Sequence, residues 1–233
     1  MIERTVKTLS GKLSIKIPSQ ITELKLGQLM QMQALEQLSD LDAISILSGI
    51  SVADLKNVVH FNEFDVFGEA ILSLSNQIKY LYNSEAIPDK ITLEIEGKKA
   101  SVKVNRNLSV EPAGAFMASR DIITDEISKH IEQHGEDNWR ETFNPSLKAC
   151  CQVLAHYFYC RATGNGYDEY KAEEFAEIIK TLGVTEALPI ARYFFMSFLG
   201  LLKPRTSFWQ RLRQFWKKKP EYKLSKSLNI SIP

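Results

Sequence analysis

The chain has 233 residues, 44% of them hydrophobic, and a formal net charge of +1. This is enough apolar content to bury a core as one large domain or two small ones. Its most apolar stretch, 191–202, is too short to span a bilayer and contains Arg192 and Tyr193, and the N-terminus alternates charged and apolar residues instead of showing a signal-peptide pattern, so a cytosolic protein is expected.

In chain order, residues 5–17 read as extended: Val6 and Leu9, then Leu13, Ile15 and Ile17 alternating with Ser14 and Lys16. Ser10-Gly11 is the expected turn and Pro18 closes the second strand. Leu26, Leu29, Met30, Leu35 and Leu38 are spaced like one helix face. Ser39-Asp40 caps the next helix, which holds Ile44, Ile46 and Leu47 and ends at Gly49. Ser51-Val52-Ala53-Asp54 resembles a capping box with Asp54 in place of Glu. Phe61, Phe64, Phe67, Ile71, Leu74 and Ile78 then fall three to four apart on a further helix.

Pro88-Asp89 marks a border. Ile91, Leu93 and Ile95 alternate with polar residues, Gly97-Lys98 is the expected turn, and Ala100, Val102 and Val104 alternate again, which predicts a β-hairpin. Pro112 suits a first helical turn, with the helix running to His134 before Gly135. Residues 136–145 form a polar loop with Trp139 and Phe143 as pegs into the core. A buried helix over 147–161 stops at Thr163-Gly164-Asn165-Gly166. An amphipathic helix over 171–182 ends at Gly183, and 185–202 is the most hydrophobic helix, expected at the centre.

The class is therefore α+β and predominantly helical. Gly27-Gln28-Leu29-Met30 can be laid over Gly114-Ala115-Phe116-Met117, each opening a helix after a β-like segment. This suggests two degenerate strand-pair-plus-helices modules, 1–87 and 88–203, followed by a basic helix and arm, 204–233.

No catalytic, cofactor or metal site is expected. His130 and His134 stand four apart on one helix face, as two zinc ligands would. Ile131, however, occupies the place where a zincin carries Glu, and no third ligand is evident, so both read as solvated histidines near a helix C-terminus. Gly164-Asn165-Gly166 is a turn, since no Lys-Ser/Thr follows it, and no Gly-x-Ser-x-Gly elbow is present. Cys150, Cys151 and Cys160 form neither a disulfide framework nor a zinc pattern and read as buried thiols. His156, among Cys151, Leu154, Tyr157 and Phe158, reads as a packed, hydrogen-bonded histidine.

The C-terminus differs in kind. From Lys203 onward there are nine Lys or Arg against Glu221 alone, so the preceding body carries a net charge of −7. Phe208, Trp209, Leu212, Phe215 and Trp216 make one helical stripe, covered elsewhere by Arg211, Arg213, Lys217, Lys218 and Lys219. Ser207 suits the cap and Pro220 the stop. Such a helix fits a groove on a partner protein, an anionic membrane surface, a nucleic-acid backbone, or the chain's own acidic body. The segment 221–233 reads as an arm that orders only against something else.

Ile21-Thr22-Glu23-Leu24-Lys25-Leu26-Gly27-Gln28-Leu29, then Ala43-Ile44-Ser45-Ile46-Leu47-Ser48-Gly49-Ile50 and Ala53-Asp54-Leu55, resemble small virion or tail-assembly proteins of tailed bacteriophages, especially those of Bacteroidetes. The resemblance spans about residues 1–202, departs at Pro112-Ala113 and excludes the tail. It implies a non-enzymatic assembly or structural role in the host cytoplasm or the virion. The implied partners are other phage tail or virion proteins, or further copies in a ring. The rival expectation is a nucleic-acid or membrane-surface adaptor acting through the basic C-terminal helix.

Overall fold

A computed structural model describes residues 1–81, 86–107, 111–135 and 139–201. Met1–Phe198 form one compact unit. The fold is α+β and predominantly helical, with two small antiparallel strand pairs. Strand β1 (Ile2–Thr8) pairs with β2 (Gly11–Ile17) in the register Val6↔Leu13 and Thr8↔Gly11. Leu9 and Ser10 make the turn, so Gly11, at φ 146°, opens β2 and Leu9 is 81% exposed at the tip. The expected turn was one residue further on, with Leu9 in the strand. Val6, Ile15 and Ile17 are buried by the strand alternation.

A 3-10 turn (Ile21–Glu23) leads to helix α1 (Leu26–Gln33), then α2 (Asp40–Ser48) and α3 (Val52–Leu55). The Glu23 carboxylate accepts from the backbone N–H of Ser19 and from the N-terminal ammonium. The ammonium first, then the Ser19 N–H, hold its pKa down to about 2. Ser39 caps α2 by accepting from Asp42 N, and Gly49 ends it at φ 76°. Ser51 caps α3 by accepting from Asp54 N.

Helix α1 stops at Gln33, short of the Leu38 that the spacing suggested, and Leu35 and Leu38 are exposed. Only Leu26 and Leu29 of this helix are buried, so nothing rewards its continuation. The phenylalanine-rich stretch also divides, into a 3-10 turn (Phe61–Phe64) and α4 (Asp65–Leu81). Phe64, Phe67, Ala70 and Leu74 face the core, while Phe61 is left exposed.

Strands β3 (Lys90–Ile95) and β4 (Lys98–Lys103) form the predicted hairpin. Its turn is Glu96-Gly97, both at positive φ, which is the two-residue turn that suits strand twist; Lys98 belongs to β4. Pro112 is the N-cap of α5 (Ala113–His134), and Gly135 ends it. Within the expected polar loop, α6 (Trp139–Thr142) is a single turn, and Phe143 is buried beside it. Helix α7 (Leu147–Thr163) is capped by Ser146 and ends at Gly164, φ 72°; its residues 153–159 are all buried.

The amphipathic helix expected over 171–182 is two short ones, α8 (Glu169–Glu174) and α9 (Ala176–Ile179), joined at Phe175, whose ring packs edge-on against Tyr159. Helix α10 (Val184–Leu201) contains Pro189 and buries Phe194, Phe195 and Phe198. These rings meet Tyr157 of α7, Phe143 and Phe116 of α5, respectively. No described helix is long and apolar enough to cross a membrane.

The N-terminal segment is stitched to the C-terminal helices. Leu26 N donates to Leu182 O, Gly27 N to Lys180 O and Val184 N to Leu24 O, at 2.8–2.9 Å. A Cβ on Gly27 would lie 3.0 Å from Lys180 Cβ and 3.1 Å from its carbonyl oxygen, so glycine permits this approach. Gly114 holds the same second position in α5, where a Cβ would lie 2.5 Å from the Tyr167 ring.

Candidate functional site

The residues expected to bind a partner, Phe208, Trp209, Arg211, Leu212, Arg213, Phe215, Trp216 and Lys217–Lys219 in the sequence reading, all lie outside the described residues. Three features of the described unit bear on function.

The first is a cleft of about 390 Å³ between α7 and the α8–α9 pair, with Met30 of α1 at its side. Lys148, Cys151, Gln152, Ala155 and His156 recur on one face of α7 and supply one wall; Glu173, Ala176 and Lys180 supply the other. His156 is buried, and its Nδ1 lies 3.0 Å from the Tyr167 hydroxyl. Burial lowers the His156 pKa, against the raising pull of Glu173 and Glu169. Burial also pushes Tyr167 up to about 12, so its hydroxyl keeps its proton and is the natural donor to Nδ1. The imidazole is therefore neutral at pH 7, with its own proton assigned to Nε2. Burial pushes Cys151 up to about 11, and its thiol donates to Ala176 O at 3.6 Å. Cys150 shifts in the same direction for the same reason. Both are therefore thiols, not the thiolates that nucleophilic chemistry requires. Cys160 is only half-buried, more open than expected.

The second is the His130–His134 pair. The rings stack at 4.3 Å between centroids; His130 Nε2 lies 3.1 Å from Thr142 Oγ1, and His134 Nδ1 lies 3.1 Å from His130 O. These contacts engage Nε2 of His130 and Nδ1 of His134. Among the described residues no three His, Cys, Asp or Glu side chains are grouped to hold a metal ion.

The third is an apolar groove of about 410 Å³ among α1, α2, α4 and α7, lined chiefly by Leu29, Met32, Leu47, Ile71, Leu74 and Ile78. Leu38 also lines it and remains exposed.

Sequence reasoning placed His156 correctly but did not name its partner Tyr167, because the two are joined only by the turn after α7. It also missed the pair Glu111–Arg161, which ties the segment before α5 to the last turn of α7. A nearly enclosed carboxylate next to a proline has no periodic signal.

No family model, no curated protein and no solved structure matches this chain.

Proposed function

We propose that this is a non-enzymatic assembly or virion protein of a tailed bacteriophage that acts by binding other proteins. The observation that carries the reading is the division of charge: a body at −7 followed by an aromatic, strongly basic segment at +8. A stripe of Phe208, Trp209, Leu212, Phe215 and Trp216 supplies affinity by burial, at about 1.5–3 kcal/mol per large side chain. The surrounding Arg and Lys steer and orient the encounter. Support for the phage context is the resemblance of the 21–55 stretch; support for binding is the pairing of an apolar, basic segment with an acidic body. Its partners are tail or virion proteins, further copies included.

Two measurements test this. In a pull-down from phage-infected cells, Trp209→Ala with Trp216→Ala should weaken capture of virion proteins far more than neutralising Lys217, Lys218 and Lys219. The reverse order, with affinity falling steeply as salt rises, would support the nucleic-acid or anionic-membrane adaptor instead. Mass spectrometry of purified particles separates a retained component, present in many copies, from a chaperone that leaves. Particles of normal morphology and infectivity after deletion of the gene would overturn both versions.

A further inference from the structure

The cleft between α7 and the α8–α9 pair holds donors that the rest of the described chain leaves unused. Lys148, Gln152 and His156 all line it. They stand four apart on α7 and therefore stack on one face at intervals of about 6 Å along the helix. His156 is 3% exposed, and its Nδ1 lies 3.0 Å from the Tyr167 hydroxyl. With Tyr167 donating to Nδ1, the imidazole proton sits on Nε2, which is then a donor itself. Among the described residues nothing accepts from Nε2, yet no enclosed side-chain nitrogen or oxygen there lacks a hydrogen-bond partner. Nε2 is therefore reached from outside, through the cleft that its ring lines. A donor set this deep gains most from an acceptor that a ligand brings to it.

Its neighbours on the same wall are unused as well. The Gln152 amide is half-buried and has no partner among the described residues, and Lys148 makes no ion pair among them. Lys180, on the other wall, is neutralised by Glu177 at 2.6 Å. The α7 wall thus presents three donors in a row, one of them a cation, which together suit an anionic acceptor. The facing wall presents Glu173, whose negative charge is felt at His156. A bare anion would meet that carboxylate as a like charge, whereas a molecule with an amine at its far end would meet it as a partner. At about 390 Å³ the cleft is at the small end of ligand sites. Met30, Ala155 and Ala176 give it apolar surface for a short aliphatic chain.

We propose that this cleft binds a small amino-carboxylate, a molecule with a carboxylate at one end and an amine at the other. The carboxylate accepts from His156 Nε2 and the Gln152 amide, with the Lys148 ammonium one turn away supplying positive charge, and the amine faces Glu173. Tyr167 is a positioning residue: its hydroxyl fixes the tautomer that makes Nε2 a donor. The inference goes beyond the partner-binding reading and does not depend on it.

NMR titration of the full-length protein, with the His156 ring nitrogens as reporters, tests it. The probes are glycine, β-alanine and 4-aminobutyrate, which share the carboxylate and differ in the reach of the amine. At least one should shift the Nε2 signal saturably, with a Kd of about 1–10 mM. Lys148 is exposed and Gln152 half-buried, so substitutions at both keep the fold. Gln152→Leu should weaken that probe about tenfold, as loss of a hydrogen bond to a charged group does, and Lys148→Ala about two- to fivefold. Tyr167→Phe should weaken it too and move the ligand-free ring-nitrogen shifts toward the other tautomer, a change that a merely structural role would not produce. The amine-free counterpart of the probe (acetate, propionate or butyrate) should bind about two- to fivefold more weakly. Absence of a saturable shift with all three probes up to about 100 mM, or equal affinity in Gln152→Leu, overturns the proposal, as does an amine-free counterpart that binds equally well. Acetyl-aspartyl-amide binding more tightly than every probe would place an acidic residue of a protein partner in the cleft and would overturn it as well.

Discussion

Replacing Arg161 with alanine is the sharpest test of how the second hairpin is held to the helical core. Glu111 Oε1 accepts from Arg161 Nε at 2.6 Å and from an Nη2 donor of the same guanidinium. The carboxylate side chain is 3% exposed and the guanidinium 25%. The same guanidinium lies 5.5 Å from the centre of the Tyr157 ring, and the Tyr157 hydroxyl both accepts from Asn105 N and donates to Asn105 O. Both ends of the connection between β4 and α5 are thereby fixed to α7. Removing the cation strands a nearly enclosed carboxylate; loss of one partner from a fully buried pair costs about 3–5 kcal/mol. Water reaches Arg161, so about 2–3 kcal/mol is the expected cost here. In a unit of this size that lowers Tm by about 4–12 °C. Urea unfolding of Arg161→Ala, Glu111→Ala and the double variant at pH 7 measures it, and the coupling should exceed about 1 kcal/mol because the double variant leaves no orphaned charge. Arg161→Lys should fall between, keeping the charge but losing the fork and the contact with the ring. A cost under about 0.5 kcal/mol for Arg161→Ala, or strict additivity in the cycle, would refute the reasoning.

Three further outcomes are expected. Gly114→Ala should destabilise by about 1–3 kcal/mol, since its Cβ would fall 2.5 Å from the Tyr167 ring, and thermal melts together with the His156 imidazole NMR shifts should register both the strain and the displaced hydroxyl. Gly27→Ala should also destabilise, because the obstacle at 3.1 Å is a backbone carbonyl that cannot swing aside, and its Tm should not be rescued by changing Lys180 to alanine. His156 has a folded pKa below its unfolded value of about 6.5, so its contribution is complete above that pH and is lost as pH falls and the unfolded chain takes up a proton the folded one refuses. The stability difference between the wild type and His156→Gln should therefore shrink from pH 7.5 to pH 5; a constant difference would show that the buried imidazole is not the titrating group.

What the sequence made legible was local. The Ser39 and Ser51 caps, the Gly49 and Gly164 stops and both strand alternations are read within four residues, and the structure carries each of them. Both hairpin turns lie one residue earlier than expected, because a glycine at a turn suits more than one of its positions: Gly11 closes its turn, whereas Gly97 is the second of its two central residues. The early stop of α1 and the joint at Phe175 were not legible, since each depends on what lies opposite in space. The same limit hid Tyr167 from His156 and Glu111 from Arg161, pairs made by packing across helices and not by spacing along them.

The likeness between Gly27-Gln28-Leu29-Met30 and Gly114-Ala115-Phe116-Met117 takes on a physical meaning at this level. Each glycine is the second residue of a helix that follows a strand pair, and each sits where another part of the chain crosses too closely for a Cβ. The obstacles differ, a backbone carbonyl at Lys180 in one case and an aromatic ring at Tyr167 in the other. The helices differ as well, with α1 spanning 8 residues and α5 spanning 22. A shared need for a close crossing at the helix start is enough to produce the Gly in both places.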